Sequence, residues 1–534
     1  RRAFAAGSRA ELPRLLKLGL YADDGAIVWI NGIEVLRFNA RDGEQAFNAT
    51  AARPAEARWQ EFLLPNPALY LREGENVVAV HAMNSPLTSN DFSIDLEVFS
   101  PGAEDGETLA FPTPGAENTV FSANAPPQIR QVDHFPVQPA SGEPITITAR
   151  ITDAEGVAAA TLLYQAVAPG SYVPAFLPLP QNILLASPTQ PLPPNAAFEE
   201  PSNWAAVAMA DDGERGDRVA RDGLYTAMVP AQASRTLLRY RIRAADARAA
   251  SVTVPYLDDR SLNFACFVYD GVPPYVASTR SVHADGPGHV YGSELLTSLP
   301  VYFLITRGAD LDQCTAYSGA NQIPKSNEGA RDKFNWEGAF VYDGVVYDHV
   351  KYRLRQANDR YGGAGKRAMR IRFQKGNYLQ AHDNYGRAYP TRWRTLNTGK
   401  MFDNKRVGNF GLTESINAVL WNLVGVPAPA FNTFHLRVIR GPEEAPAGPT
   451  GQYLGDFYGM FNGIEDYDPR FLEAHHMADG NLYKLKDGIF NGNLLKRNQG
   501  RYAVTTDEDF QNIRRSLRPE RNDDWLNLHV NYER

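Results

Sequence analysis

The sequence predicts a multidomain chain of two N-terminal all-β sandwich domains followed by an α+β domain. Three observations carry this reading. Short runs of alternating apolar and polar residues, separated by turn residues, recur through the first 270 positions. From about Tyr275 onward such runs interleave with segments of helical spacing. The 534 residues are enough for three or four domains, each able to bury its own core.

Composition narrows the class. Hydrophobic content of 43% with 22% charged residues is that of a globular chain, and 43 Gly, 37 Pro and 11% aromatic residues lean toward strands and turns. A formal net charge of −7 argues against a general nucleic-acid-binding surface, which shows as basic excess. No apolar run reaches about 18 residues, so no transmembrane segment is expected. The opening RRAFAAGSRAELPRLLKLGLY has neither an initiator Met nor the order of a signal peptide, so a segment of a longer polypeptide is expected. Cys266 and Cys314 are too few for a disulfide scaffold or a zinc site; one bridge and two buried free thiols are both open.

The first domain is expected over 1–100. GAIVWINGIEVLRF (25–38) alternates around Asn31-Gly32, a type I′ hairpin signal, and ENVVAVHAMN (75–84) and FSIDLEVF (92–99) read as further strands of an antiparallel sandwich. Residues 101–127 have the Pro, Gly and small polar content of a linker. Over 128–270 the runs PITITARITD, ATLLYQAV, LYTAMVP and LLRYRIRAAD suit an immunoglobulin- or fibronectin-like sandwich. Its Pro-rich insertion, 169–203, is expected to be an extended surface loop. DDGERGDRVARDG (211–223) places Asp211, Asp212, Asp217 and Asp222 among glycines, and hard oxygen donors on a tight loop are what calcium needs. A solvated turn with Asx caps, its acids neutralised by Arg215, Arg218 and Arg221, is the other reading and the favoured one.

The α+β domain is expected over 275–534. LPVYFLIT, GAFVYDGVVYDHVKYRLR, MRIRFQ and TFHLRVI read as strands. TESINAVLWNLVG (413–425) puts Ile416, Val419, Leu420 and Leu423 on one helix face, with Thr413 as N-cap and Gly425 as stop. PRFLEAHHM begins with Pro469 in a first turn, and TDEDFQNIRRSL opens at Thr506 and repeats Phe510, Ile513 and Leu517. His475 and His476 are adjacent on a helix and point apart, which reads as surface histidines rather than metal ligands.

One stretch stands out chemically. KYRLRQANDRYGGAGKRAMRIRF (351–373) carries eight Lys or Arg and a single acid, Asp359, around a glycine-rich tip. Residues two apart on a strand share a face, so Arg353 with Arg355, and Arg370 with Arg372, form two cationic pairs on adjacent strands. Such pairs repel unless an anion or carboxylates sit between them. Gly362, Gly363 and Gly365 permit close backbone approach, Lys366 supplies a point charge, and arginine supplies a planar fork for phosphate. Glu414 could pair with Lys366; a first-turn glutamate favoured by the helix dipole is the alternative. No G-x-S-x-G, HExxH or glycosidase-type carboxylate pair is present.

Residues 298–488 resemble the CotH (spore-coat protein H) kinase family. The pieces occur in family order: RLRQANDRYGGAGKRAMRIRF, then TESINAVLWNLVGVPAP, then YLGDFYGMFNGIEDYDPRFL, then DGNLYKLKDG. The first domain resembles jelly-roll modules of large secreted bacterial proteins. These resemblances imply an extracellular or cell-surface chain with an atypical protein-kinase fold, using ATP and Mg or Mn on Ser or Thr of a surface protein partner. By the resemblance Arg353, Arg355, Lys366, Arg370, Glu414, Glu465 and Lys484 hold the nucleotide, while the catalytic residues are unassigned. The chain departs from the family at Gln356, where Gly is usual, and the family's catalytic lobe continues past position 534. The other readings are an extracellular structural or fibre-forming protein on a degenerate kinase-like scaffold, self-associating as a homo-oligomer, and a glycan- or cell-surface-binding protein.

Overall fold

Asn31 and Gly32 both adopt positive φ, 52° and 85°, and so form the tight turn joining Gly25–Ile30 to Ile33–Phe38. The Asn31 side chain then donates to Tyr70 O at 2.8 Å and to Asn76 Oδ1 at 2.7 Å, tying the turn to the next strand. The computed structural model describes residues 1–6, 15–55, 58–85, 92–99, 124–186, 190–256, 259, 261–276, 288–316, 335–355, 367–400, 411–445, 455–485, 494–500 and 503–517. These divide into two compact units, Arg1–Ala123 and Asn124–Arg534.

The first unit is a sandwich. Arg2–Ala6, Gly74–Met83, Gly25–Ile30 and Ile33–Phe38 form one sheet in that order, and Arg58–Pro65, Leu15–Ala22 and Ile94–Phe99 form the other. Alternation sends Leu18, Leu20, Val28 and Ile30 to the shared core.

The second unit begins with another sandwich. Ile145, Ile147, Ala149 and Ile151 alternate inward from Ile145–Thr152, which lies between Leu224–Val229 and Gln128–Phe135. The facing sheet is built on Val157–Val167 and Leu237–Asp246. The Pro-rich insertion differs from expectation. It folds back through the short helices Gln181–Ala186 and Ala196–Glu199 and buries Tyr172 and Phe198 to 1% exposure. Its aromatic residues outweigh the extended bias of its prolines.

Beyond Tyr275 the dominant feature is a closed seven-stranded barrel. Its order is Val301–Ile305, Trp336–Tyr342, Val345–Leu354, Met369–Arg372, Thr395–Lys400, Phe457–Glu465 and Phe431–Ile439. The last strand returns parallel to the first, pairing His435 with Val301 and Ile439 with Ile305, and so leaves no edge. Tyr302, Phe340, Tyr352 and Phe434 fill the interior, and the helix Gly308–Ala316 adds Leu311 and Cys314 to that core. Cys266 and Cys314 are buried free thiols. No described helix is long and apolar enough to cross a membrane.

Two buried ion pairs fix this sandwich to the barrel. On Leu237–Asp246 the alternation that sends Leu238 and Tyr240 into the sandwich core sends Arg239 out of it, toward the barrel. Arg239, fully buried, bonds Asp348 through Nε at 2.6 Å and Nη2 at 3.1 Å, and reaches Gln165 at 2.9 Å. Asp348 also accepts from Tyr172 at 2.9 Å and Asn263 at 3.0 Å. Burial opposes its ionisation, but Arg239 and His349 outweigh that and hold the carboxyl well below its usual range. Four residues earlier, Arg235 forks onto Asp456 at 2.8 and 2.6 Å and onto the carbonyls of Gly441 and Pro442.

The helix Gly411–Leu423 also departs from expectation. Thr413 lies inside its first turn rather than at the cap, while Gly425 does end it with φ of 83°. Ala418 and the Asn422 amide, bonded to Ala428, face the body of the domain. The stripe Ile416, Val419, Leu420 and Leu423 faces solvent at 53–76% exposure.

Candidate functional site

At one end of the barrel the strands Val345–Leu354, Met369–Arg372, Thr395–Lys400 and Phe457–Glu465 present polar side chains beside the hairpin Leu482–Leu485/Leu494–Asn498. Arg353 and Arg370 are direct Cα partners, and Arg370 in turn pairs with Asn397, so alternation puts the three on one face. Asp466, just past its strand, closes the row. Its carboxylate accepts from Arg370 at 2.9 Å, Arg497 at 3.1 Å and Asn397 at 3.1 Å. Burial resists its charge, but Arg370, Arg497, the Asn397 bond and Lys484 together hold the carboxyl below its ordinary value.

Lys484 feels the same crowd from the other side. Loss of surrounding water lowers its pKa first; Arg497, Arg355 and Arg370 lower it further, and Asp466 acts against them. Arg355 donates to Thr398 O at 3.3 Å and acts on Tyr467, as do Glu414 and Glu465. The site residues expected from sequence therefore separate into groups. Arg370 and Lys484 act on Asp466, Arg355 acts on Lys484, and Glu465 is next to Asp466 in the chain. Arg353 lies where it acts on the Cys314 thiol. Glu414 is exposed and acts on Tyr467. Lys366 and the YGGAG tip lie outside the described residues. Sequence reasoning missed Asp466, Asn397 and Arg497. The acidic run in IEDYD, directly after Glu465, was the available signal for Asp466.

Glu465 is the titrating group at this end. Burial pushes its carboxyl up to about 7, with the Ala430 N–H bond opposing and Asp468 and Asp466 adding to the rise. Its Oε2 accepts from Ala430 N at 3.0 Å and lies 3.4 Å from His475 Nε2. His475 is thus turned inward at the end of Pro469–Ala474 rather than displayed on the surface, and loss of solvent lowers its pKa. The folded state holds a proton on Glu465 that the unfolded chain gives up near 4.5, so stability falls as pH rises from about 4.5 to about 7. Glu465→Gln is expected to flatten that limb by about 3 kcal/mol in urea titrations from acid to neutral pH. An unchanged slope would remove Glu465 as its cause.

In the second unit's sandwich, Asp211, Asp217 and Asp222 bring carboxylate oxygens within 4.8 Å of one another, the only such group of three among the described residues. Asp212 is not among them; it pairs with Arg215 at 2.6 Å. The grouped carboxylates already cap the turn, Asp211 accepting from Gly223 N at 2.9 Å and Asp217 from Gly213 N at 2.6 Å. A cleft of about 730 Å³ between sandwich and barrel is lined by His134, Asn263, Asp348 and His349 among others. These groups are spent on one another: His349 bonds Glu337 and Asn263, and His134 bonds Tyr240 and Val137 O. The cleft is a polar joint between the two folds.

No family model matches the sequence, and a search of curated proteins finds no significant relative. Among solved structures, a glycosyl hydrolase family 2 member from Bacteroides cellulosilyticus aligns with 57% of this chain and 31% of its own, at 11% identity and a TM-score of 0.13. An uncultured Clostridium sp. β-glucuronidase aligns over 62% and 47%, at 10% identity and a TM-score of 0.14. A Lactobacillus rhamnosus β-glucuronidase aligns over 52% and 36%, at 12% identity and a TM-score of 0.14. This chain thus spans about a third of the length of the first of these proteins. At such scores the likeness carries no argument about function; the chain itself is a multidomain protein built mostly of β-sheets, with β-sandwich architecture.

Proposed function

We propose that the barrel end around Asp466 binds the phosphate groups of a nucleotide, in a segment of a secreted or cell-surface CotH-like atypical protein kinase. The ligand would be ATP with Mg or Mn, and the acceptor Ser or Thr of an extracellular protein partner. The observation that carries this reading is the convergence of Arg370, Arg497 and Lys484 on one acid, Asp466, with the Lys484 ammonium disfavoured first by burial and then by Arg497, Arg355 and Arg370. A polyanion relieves that crowding, and forked guanidinium groups with an ammonium suit phosphate oxygens. Asp466, kept ionised, is the oxygen donor a divalent metal would share with the phosphates.

The second reading is a structural surface protein on a retained kinase-like scaffold. Its support is that Asp466 already neutralises Arg370 and Arg497 directly. Thermal unfolding with MgATP, MnATP and inorganic triphosphate separates the two. At a hundredfold excess over Kd, bound ligand adds about 2.7 kcal/mol and raises the midpoint. Lys484→Ala is expected to abolish that rise, each shift being read from the variant's own ligand-free midpoint. No rise in the parent chain at millimolar nucleotide favours the structural reading.

A further inference from the structure

The helix Gly411–Leu423 turns its apolar side away from the protein that carries it. At 100° per residue, Leu412, Ile416, Val419, Leu420 and Leu423 fall within an arc of about 100°. Their exposures are 54%, 55%, 53%, 54% and 76%. Val424 at 73% and Val426 at 43% follow at the end of the helix, while Trp421, 53% exposed, lies on its other side. Scattered exposed apolar residues need no explanation, but a contiguous patch of this kind marks an interaction surface.

We propose that this stripe pairs antiparallel with the same helix of a second copy of the chain, making a two-fold homodimer. Three features select that occupant. Leu412, Ile416, Val419 and Leu423 are spaced four, three and four apart, the repeat of a coiled-coil seam, so the surface is shaped for another helix rather than a strand or a flat face. The stripe carries no charge, Glu414 lying on another side, so a matching surface must also be uncharged and apolar; the copy provides one of the same length and spacing. The five side chains of the stripe, about half exposed or more, offer on the order of 500 Å² per copy and about 1,000 Å² in the pair, the least that a specific interface needs. The symmetry is isologous. Across the axis Ile416 packs on Val419 of the partner subunit, and Leu412 on Leu423 of the partner subunit.

The test is sedimentation velocity of the 534-residue chain up to roughly 100 µM, concentrations high enough for a small, weakly associating interface to form. The expected result is a concentration-dependent species of twice the 59.1 kDa chain mass. Ile416→Glu with Leu420→Glu is expected to return it to monomer, with a thermal midpoint equal to the parent's at dilutions where the parent is itself monomeric, because both positions are exposed before pairing. An oxidised Ile416→Cys/Val419→Cys chain is expected to cross-link as a dimer far more than either single variant. A monomer throughout the range, a dimer that survives the glutamate pair, or equal cross-linking by the single variants would each overturn the proposal. Association only with a different protein would assign the stripe elsewhere and overturn it as well.

Discussion

Arg239→Ala is expected to destabilise the second unit by about 3–5 kcal/mol, because it strands a charged carboxylate in the interior. Asp348 has 5% side-chain exposure and would lose both guanidinium bonds. Tyr172 and Asn263 would still donate to it, yet neither carries charge. The same deletion frees Gln165 and the Val173 carbonyl and removes the cation from over the Tyr172 ring, 4.6 Å from its centroid. Urea unfolding monitored by tryptophan fluorescence measures the loss. The paired exchange Arg239→Met with Asp348→Leu is expected to recover most of it, since removing both partners leaves no unpaired charge. A loss below about 1 kcal/mol for Arg239→Ala would show that water enters the joint.

Phe434→Ala is the second large effect, about 3–5 kcal/mol by the same measurement. Phe434 is fully buried and stacks on Tyr302 at 4.3 Å between ring centroids and on Phe461 at 6.3 Å. These rings come from three neighbouring strands, including both that close the barrel by parallel pairing. The cavity would therefore open beside the closing pair, where neighbours held on two sides cannot collapse to fill it. Phe434→Leu, which keeps most of the volume, is expected to cost under half as much. Equal costs for the two variants would argue that the ring geometry, more than the filled space, matters there.

What could be read from the residues alone was local. Asn31-Gly32 required a turn with two positive φ values and made one, and Pro469 opened its helix behind a capping Asp468. The cationic pairs of the basic hairpin were read as needing either an anion or carboxylates; the structure gives Asp466 to Arg370, and Glu337 to Lys351, which belongs to neither pair. Those acids lie on other strands, so nothing in the hairpin could name them. The same limit hid Arg497, which reaches Asp466 across 31 positions. Periodicity found the apolar stripe of Gly411–Leu423 but not its direction, because spacing identifies a face and only the fold decides what lies against it. In the insertion, proline content suggested an exposed excursion, and two aromatic residues, Tyr172 and Phe198, decided otherwise.

The parallel closure of the barrel has a cost in time. Tyr302 waits for Asn432, 130 residues further along, before the ring of strands can shut. At ribosomal speeds that interval is on the order of ten seconds, during which the nascent Val301–Ile305 segment shows an unsatisfied backbone edge and a row of bulky apolar groups. A translating cell must shield that edge until Phe431–Ile439 emerges, so yield on expression should track chaperone supply more closely than the finished protein's robustness suggests.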